Sequence, residues 1–178
     1  MLIPYTKSQG HWPEIERIYL ESFPAEERRP ADDLRHRAES PAEPLKVFVV
    51  FNGNDMAGFI SYWEFSDFVY VEHFAVDSSV RGSGIGSRAL NEFVNNFNKP
   101  VVLEVEPPEA NDMAMRRIKF YTRTGFRIVE DFDYVQPPYG PGLPSVPLLL
   151  MTTDRHAIRA RSVAEVLHRE VYGVCSMD

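Results

Sequence analysis

Cysteine is nearly absent: Cys175 is the only one in 178 residues. That excludes an internal disulfide and a cysteine metal cluster, and it leads us to expect a reducing, cytoplasmic setting with no metal site. Long apolar runs are missing too. The "LLLM" stretch at 148–151 is far too short to cross a membrane as a helix, so no membrane partner is expected. Basic charge is in deficit, with 19 Lys and Arg against 26 Asp and Glu, for a net charge of −7. Such a chain is a poor partner for nucleic acid and a reasonable one for a cation. The opening MLIPYTKSQG has no basic-then-apolar pattern, so no signal peptide is expected. Gly-Lys-Ser/Thr does not occur, which removes the P-loop.

What is present is the material of a globular domain. Hydrophobic residues make up 44% of the chain and aromatics 12%. "LIPYT" reads as a short strand. Ile15, Ile18, Tyr19 and Phe23 have helical spacing, and Pro24 ends that helix. "PAEERRP" connects to a second helix through "ADDLRHRAE", and reads either as a solvated charge run or, through Glu26, Glu27, Arg28 and Arg29, as a loop that reads a ligand's charge. The period then changes. "LKVFVVF", the turn "NGND" and "MAGFISYWEF" form a hairpin, followed by a third strand, "DFVYVEHFAV". Ile85, Ala89, Leu90, Phe93, Val94 and Phe97 make one helical face, and "PVVLEVE" is the next strand. A helix carrying Ala114, Ile118 and Tyr121 ends at Gly125. "FRIVEDFDYV" and "VPLLLMTT" pair across a Pro- and Gly-rich loop, and a last helix runs from near Asp154 to about Tyr172.

This order predicts a mixed α+β domain over 1–153 with a helical extension over 154–178. The sheet is mostly antiparallel, with one parallel pair formed by the strand–helix–strand step from 68 to 106. The extension either packs on the domain or meets a second copy in a homodimer.

The stretch "VRGSGIGSRAL" puts glycines at 82, 84 and 86 where a helix begins. A helix start offers unpaired N–H groups and partial positive charge, and glycine lets an anion come close to both. Arg81 and Arg88 add full charges. The segment reads as a phosphate cradle, or as a turn that only lets helix and strand pack closely. A dinucleotide fingerprint is a rival, with Gly82 and Gly84 as its first two glycines, Ser87 at the third and Glu104 as the ribose acid. Against it, "DSSVR" separates strand from glycines, and the strands before it form an antiparallel meander.

"FAVDSSVRGSGIGSRAL" resembles the acetyl-CoA-binding motif of the GNAT superfamily of N-acetyltransferases, Arg/Gln-x-x-Gly-x-Gly/Ala, through Arg81, Gly84 and Gly86. "RRIKFYTRTGFRIV" resembles the family's second signature, and the order of elements matches from about 1 to 153. "VEHFAV", "LEVEPPE" and "QPPY" suggest a bacterial branch. The resemblance implies a GNAT-like fold with a splayed parallel strand pair that takes acyl-CoA. Main-chain groups of Phe74, Ala75 and Val76 would pair with pantetheine. Arg81, Gly82, Ser83, Gly84, Ile85, Gly86 and Ser87 would hold the pyrophosphate. The asparagine that many relatives carry seven residues before the tyrosine is Ala114 here, and Asn111 is out of register, so no such contact is carried over.

Transfer to an amine needs a base, and Glu72 lies where several relatives hold a catalytic carboxylate. Strand alternation puts Glu72, Phe74 and Val76 on one face and Val71, His73 and Ala75 on the other, with His73 the second candidate base. The resemblance places Tyr121 beside the CoA sulfur as the acid, where a bland reading is a core tyrosine bonded to a carbonyl. Glu104 and Glu106 either make the acceptor side acidic or are solvated edge carboxylates. The expected partners are acetyl-CoA, as co-substrate, and the primary amine of a small molecule. A protein N-terminus or lysine as acceptor, or a non-catalytic acyl-CoA sensor, are the alternatives.

Overall fold

The computed structural model describes residues 1–154 and 158–174. They fall into two compact units, Met1–Val101 and Val102–Asp178.

In the first unit the strands β1 (Leu2–Pro4), β2 (Leu45–Asn52), β3 (Asp55–Glu64) and β4 (Val69–Val76) pair antiparallel in that order. β2 and β3 form the expected hairpin, turning at Gly53, whose φ of +62° suits the tight loop. Helix α1 (Trp12–Ser22) buries Trp12, Ile15, Ile18 and Tyr19, and α2 (Ala31–Glu39) buries Leu34. Helix α3 (Ile85–Asn95) buries Ile85, Ala89, Leu90 and Phe93. Phe93 meets Tyr62 and Phe48 edge-on, and those two rings stack 5.3 Å apart across the hairpin. After α3, Pro100 O accepts from Val69 N at 2.9 Å. The residue before β5 (Val101–Val105) therefore meets the first residue of β4.

Gly58 on β3 is a position the sequence did not flag. A Cβ there would lie 2.2 Å from Ala75 O, against the main chain of the neighbouring strand. Gly58→Ala is therefore expected to push the end of β4 outward and to lower stability by about 1–3 kcal/mol, the usual cost of overpacking. Thermal melts measure this, and a parental Tm would show that the strands part without cost.

In the second unit β5 and a short β6 (Arg127–Ile128) flank β8 (Val146–Thr152), both antiparallel to it. β7 (Tyr134–Gln136) also pairs with β8. The expected single strand from 126 to 135 is thus two pieces. The chain turns between them at Asp131, whose φ is +56°. Helix α4 (Asp112–Arg123) starts at an Asn111 cap and ends before Gly125, whose φ of +93° matches the expected left-handed stop. The last helix, α5 (Ala160–Val166), begins later than expected and widens into a π-turn over Leu167–Val171. Val163, Ala164, Leu167 and Val171 are buried. His168 donates from Nε2 to Val135 O at 3.0 Å. Residues 155–157, part of the expected last helix, and Cys175 lie outside the described residues. Among the described residues no helix is long and apolar enough to cross a membrane.

Candidate active site

β4 ends at Val76, and the chain then passes through Asp77 and a 3-10 turn (Ser78–Val80) into the glycine segment. Asp77 shapes this turn. Its Oδ1 accepts from Ser79 N at 2.9 Å and from Ser79 Oγ at 2.6 Å, and its Oδ2 accepts from Arg17 of α1. The Arg17 bond, then those from Ser79, hold the Asp77 carboxyl far below the usual carboxylate range. Arg81 donates from Nε to Val76 O at 2.9 Å and from Nη2 to Ser22 Oγ at 3.4 Å.

Gly82 and Gly84 have φ of +81° and +79°, a region that only glycine enters freely. Gly84 is the N-cap of α3. No side chain caps the helix, and its first turn contains no acidic residue. Ser83, the nearest candidate cap, turns its hydroxyl back to Val80 O at 2.6 Å. The first intrahelical bond comes from Arg88 N, so the N–H groups of Ile85, Gly86 and Ser87 have no partner inside the helix. Residues 81–84 are exposed. Phe74, Ala75 and Val76 lie opposite Ile60, Phe59 and Gly58 of β3.

Upstream, β4 departs from simple alternation. Val71 pairs with Tyr62 and His73 with Ser61, leaving Glu72 as an extra residue. Tyr62 and Ser61 are neighbours on β3 and face opposite ways, so Val71 and His73 do too. This corrects the alternation read from the sequence. A bulge redirects side chains, and here the adjacent residues Glu72 and His73 both reach the α1–α2 connector. Glu72 Oε1 accepts from Arg29 Nε at 2.9 Å and Nη2 at 2.5 Å, and Oε2 accepts from Trp63 Nε1 at 2.9 Å. The Glu72 side chain is 0% exposed and that of Arg29 5%. The exposed part of Glu72 is therefore its main chain. Burial opposes its ionisation, but the Arg29 and His73 fields and the Trp63 and Arg29 hydrogen bonds together hold the carboxyl below its ordinary value.

His73 is 2% exposed. Its Nε2 donates to Glu27 O at 3.2 Å, which leaves Nδ1 to accept from Ser61 Oγ at 3.2 Å. Tyr19 and Phe23 pack edge-on against the ring. Burial pushes its pKa down to about 4, so the ring is neutral at physiological pH. The connector is thus held down, not solvated along its whole length. Arg29 also reaches Asp33 at 3.0 Å and lies over the Trp63 ring at 5.7 Å, and Tyr19 OH donates to Arg29 O at 3.1 Å. A charge run carries no sign that one member is buried, because the carboxylate that buries it stands 43 residues away. Asp77 was legible in principle, since Asp two residues before Ser is an Asx-turn signature.

In the second unit Tyr121 lies on α4, half-buried, its ring against Phe120 and Phe126. Burial pushes its hydroxyl up to about 12. Among the described residues no group accepts a hydrogen bond from this hydroxyl, and no buried side-chain oxygen or nitrogen lacks a partner. The hydroxyl is therefore not fully sealed from solvent, and it differs from that of a core tyrosine bonded to a carbonyl. Asn111 has other work. Its Oδ1 accepts from Ala114 N at 2.8 Å, capping α4, and its Nδ2 donates to Glu106 at 3.1 Å.

Glu106 also accepts from Arg117. Glu104 accepts from Tyr134 OH and, at 2.7 Å, from Tyr172 OH. Neither carboxylate is a solvated edge group. Tyr134 and Tyr172 were not found from the sequence, and Tyr172 lies 68 residues from its partner. Among the described residues no three His, Cys, Asp or Glu side chains gather where they could hold a metal ion.

Residues 12–126 match the model of the acetyltransferase (GNAT) family. The chain belongs to that family. A structure from Bacteroides thetaiotaomicron assigned to the GNAT acetyltransferases is 38% identical to it. That match covers 98% of this chain and 99% of the other, with a TM-score of 0.89, so the fold is the α+β GNAT fold with its mixed sheet. YjbC of Bacillus subtilis (strain 168), assigned as an acetyltransferase, is 32% identical over 76 residues, or 42% of this chain. The match spans only 39% of that curated relative. A GNAT acetyltransferase from Elizabethkingia anophelis with acetyl-CoA bound shares the fold at 16% identity, covering 86% of this chain and 97% of its own, with a TM-score of 0.59.

The GNAT match takes in Glu72, the glycine segment and Tyr121. It stops short of Tyr134 and Tyr172. Those two tyrosines belong to the part of this GNAT chain that the family model does not describe.

Proposed function

We propose that this GNAT protein transfers the acetyl group of acetyl-CoA to the primary amine of a small molecule. The observation that carries the reading is the exposed, uncapped start of α3 with left-handed glycines at 82 and 84. Free N–H groups, a helix dipole and a first helical turn without an acidic residue suit a pyrophosphate. Arg81, Gly82, Ser83, Gly84, Ile85, Gly86 and Ser87 supply this cradle, and the main chain of Phe74, Ala75 and Val76 supplies pantetheine pairing. The acetyl-CoA complex of the Elizabethkingia protein supports that ligand.

In the reaction the amine nitrogen attacks the thioester carbonyl and forms the C–N bond. The tetrahedral intermediate then collapses, the C–S bond breaks, and Tyr121 donates its proton to the departing sulfur. The amine's surplus proton leaves to a base. Turnover of acetyl-CoA against a panel of primary amines, followed by free thiol, tests the proposal. Thiol release with a protein substrate alone would make the acceptor a protein. CoA binding without any turnover would make the chain an acyl-CoA sensor.

Glu72 is the proposed base, and its burial favours a second reading of that step. A carboxylate with a lowered pKa and three donors upon it is a weak proton acceptor. In this second reading Glu72 fixes Arg29 and the connector, and water carries the proton away. Glu72→Gln discriminates. If Glu72 is the base, kcat falls roughly 10²–10⁴-fold while Tm stays near parental. If it is the counter-ion of Arg29, Tm falls by an amount that reflects about 3–5 kcal/mol, because a buried guanidinium loses its partner.

A further inference from the structure

The connector that holds Arg29 also carries Arg28, and the two neighbours are treated differently. Of the arginines that are buried or half-buried, Arg29, Arg37 and Arg117 all bond to carboxylates. Half-buried Lys99 does as well. Arg28 is half-buried and, among the described residues, bonds to no carboxylate. It is nevertheless held in place. Its Nε donates to Phe23 O at 3.0 Å, and its guanidinium carbon lies 5.9 Å over the Tyr19 ring. Tyr19 in turn packs edge-on against His73, 4.8 Å between ring centres, so Arg28 lies beside the face where Glu72 and His73 meet the connector.

A guanidinium tethered by Nε and backed by an aromatic ring keeps its two terminal nitrogens side by side. That edge matches the two oxygens of a carboxylate. The charge around it points the same way. Glu72 is matched by Arg29, Asp33 by Arg29 and Arg37, and Glu43 by Arg37. Glu26 and Glu27 are engaged by other contacts. Among the described residues Arg28 is the only arginine of the connector and α2 that no carboxylate meets, while Glu26 and Asp32 are exposed nearby. An anionic group is therefore a good fit at the Arg28 guanidinium itself.

We propose that Arg28 is a specificity-determining residue and that the acceptor is an amine that also carries a carboxylate, an amino-acid-like molecule whose carboxylate meets the two terminal nitrogens of Arg28. The inference rests on the acetyl-transfer reading above and narrows its substrate class.

The test uses the full chain, acetyl-CoA and matched sets of amines, with each amino acid run beside its carboxamide and its decarboxylated amine. The parent is expected to prefer the acid over the amide by about 10- to 100-fold in kcat/KM, the worth of a charge-assisted pair. Arg28→Met removes the preference by lowering the acid towards the amide, and Arg28→Lys restores part of it. CoA affinity, measured separately by calorimetry, stays parental in both variants. Equal use of acid and amide by the parent overturns the proposal. So does a fall of acid and amide by the same factor in Arg28→Met, which would make Arg28 a structural tie for the end of α1. If CoA binds and no amine in any set is acetylated, the acetyl-transfer reading itself fails and this inference falls with it.

Discussion

Tyr121→Phe is expected to fold, to bind acetyl-CoA like the parent, and to turn over roughly 10²–10⁴ times more slowly. The variant keeps the ring that packs on Phe120 and Phe126 and removes only the hydroxyl. Burial has pushed that hydroxyl up to about 12. A thiol in water has a pKa of ~8.5, so moving the proton outright to a solvated thiolate would be uphill by about 5 kcal/mol. The step works because the departing sulfur is desolvated as well, which raises its own basicity, and because donation begins as a charge-assisted hydrogen bond. The pH profile follows. A tyrosine that must stay protonated, with a pKa of about 12, gives no loss of kcat as pH rises through 10. Parental kcat in Tyr121→Phe, with only Tm reduced, would make the residue structural. A decline of the parent's kcat centred near 10 would mean the hydroxyl lacks the surroundings described.

Gly84→Asp is expected to weaken CoA binding on the order of 100-fold by calorimetry, the scale of losing charge-assisted hydrogen bonds to a phosphate. Two effects act together. The new side chain strains a residue at φ +79°, and its carboxylate lies among the N–H groups of Ile85, Gly86 and Ser87 that an anion would otherwise meet. Gly53→Asp separates the two. Gly53 has φ +62° in the β2–β3 turn, so it suffers similar backbone strain away from the cradle and should bind CoA normally. Equal losses in both variants would trace the effect to general destabilisation. Unchanged affinity in Gly84→Asp would remove the cradle.

The sequence carried those parts of the fold in which neighbours along the chain decide the outcome. The glycine segment, the β2–β3 hairpin and the apolar face of α3 all follow from local spacing, and each stands where it was expected. What could not be read depends on partners far apart. "VYVEHFAV" is too evenly apolar for alternation to reveal one surplus residue, so the bulge at Glu72 was hidden, and the shared face of Glu72 and His73 with it. Arg29 looked solvated because its neighbours are charged. Glu104 looked like an edge carboxylate because Tyr134 and Tyr172 come from beyond the GNAT match. Gly58 gave no signal, since its reason is a carbonyl on the next strand.

The bulge also separates two requirements that usually travel together. With Glu72 taken out, Val71 and His73 would become neighbours, facing opposite ways as Tyr62 and Ser61 already do. Every other rung between β3 and β4 would keep its partner. As far as the hydrogen-bond ladder is concerned, residue 72 is an insertion that the sheet absorbs without changing register. The charge on Arg29 is less tolerant. Without Glu72 its guanidinium would lose the buried carboxylate that meets Nε and Nη2, and a buried cation short of that carboxylate is costly. A lineage of such chains could therefore gain or lose this residue by a single-codon change with the strand intact, but only if position 29 changed in the same step. The geometry of the sheet leaves residue 72 optional, and the electrostatics of the connector make it obligatory.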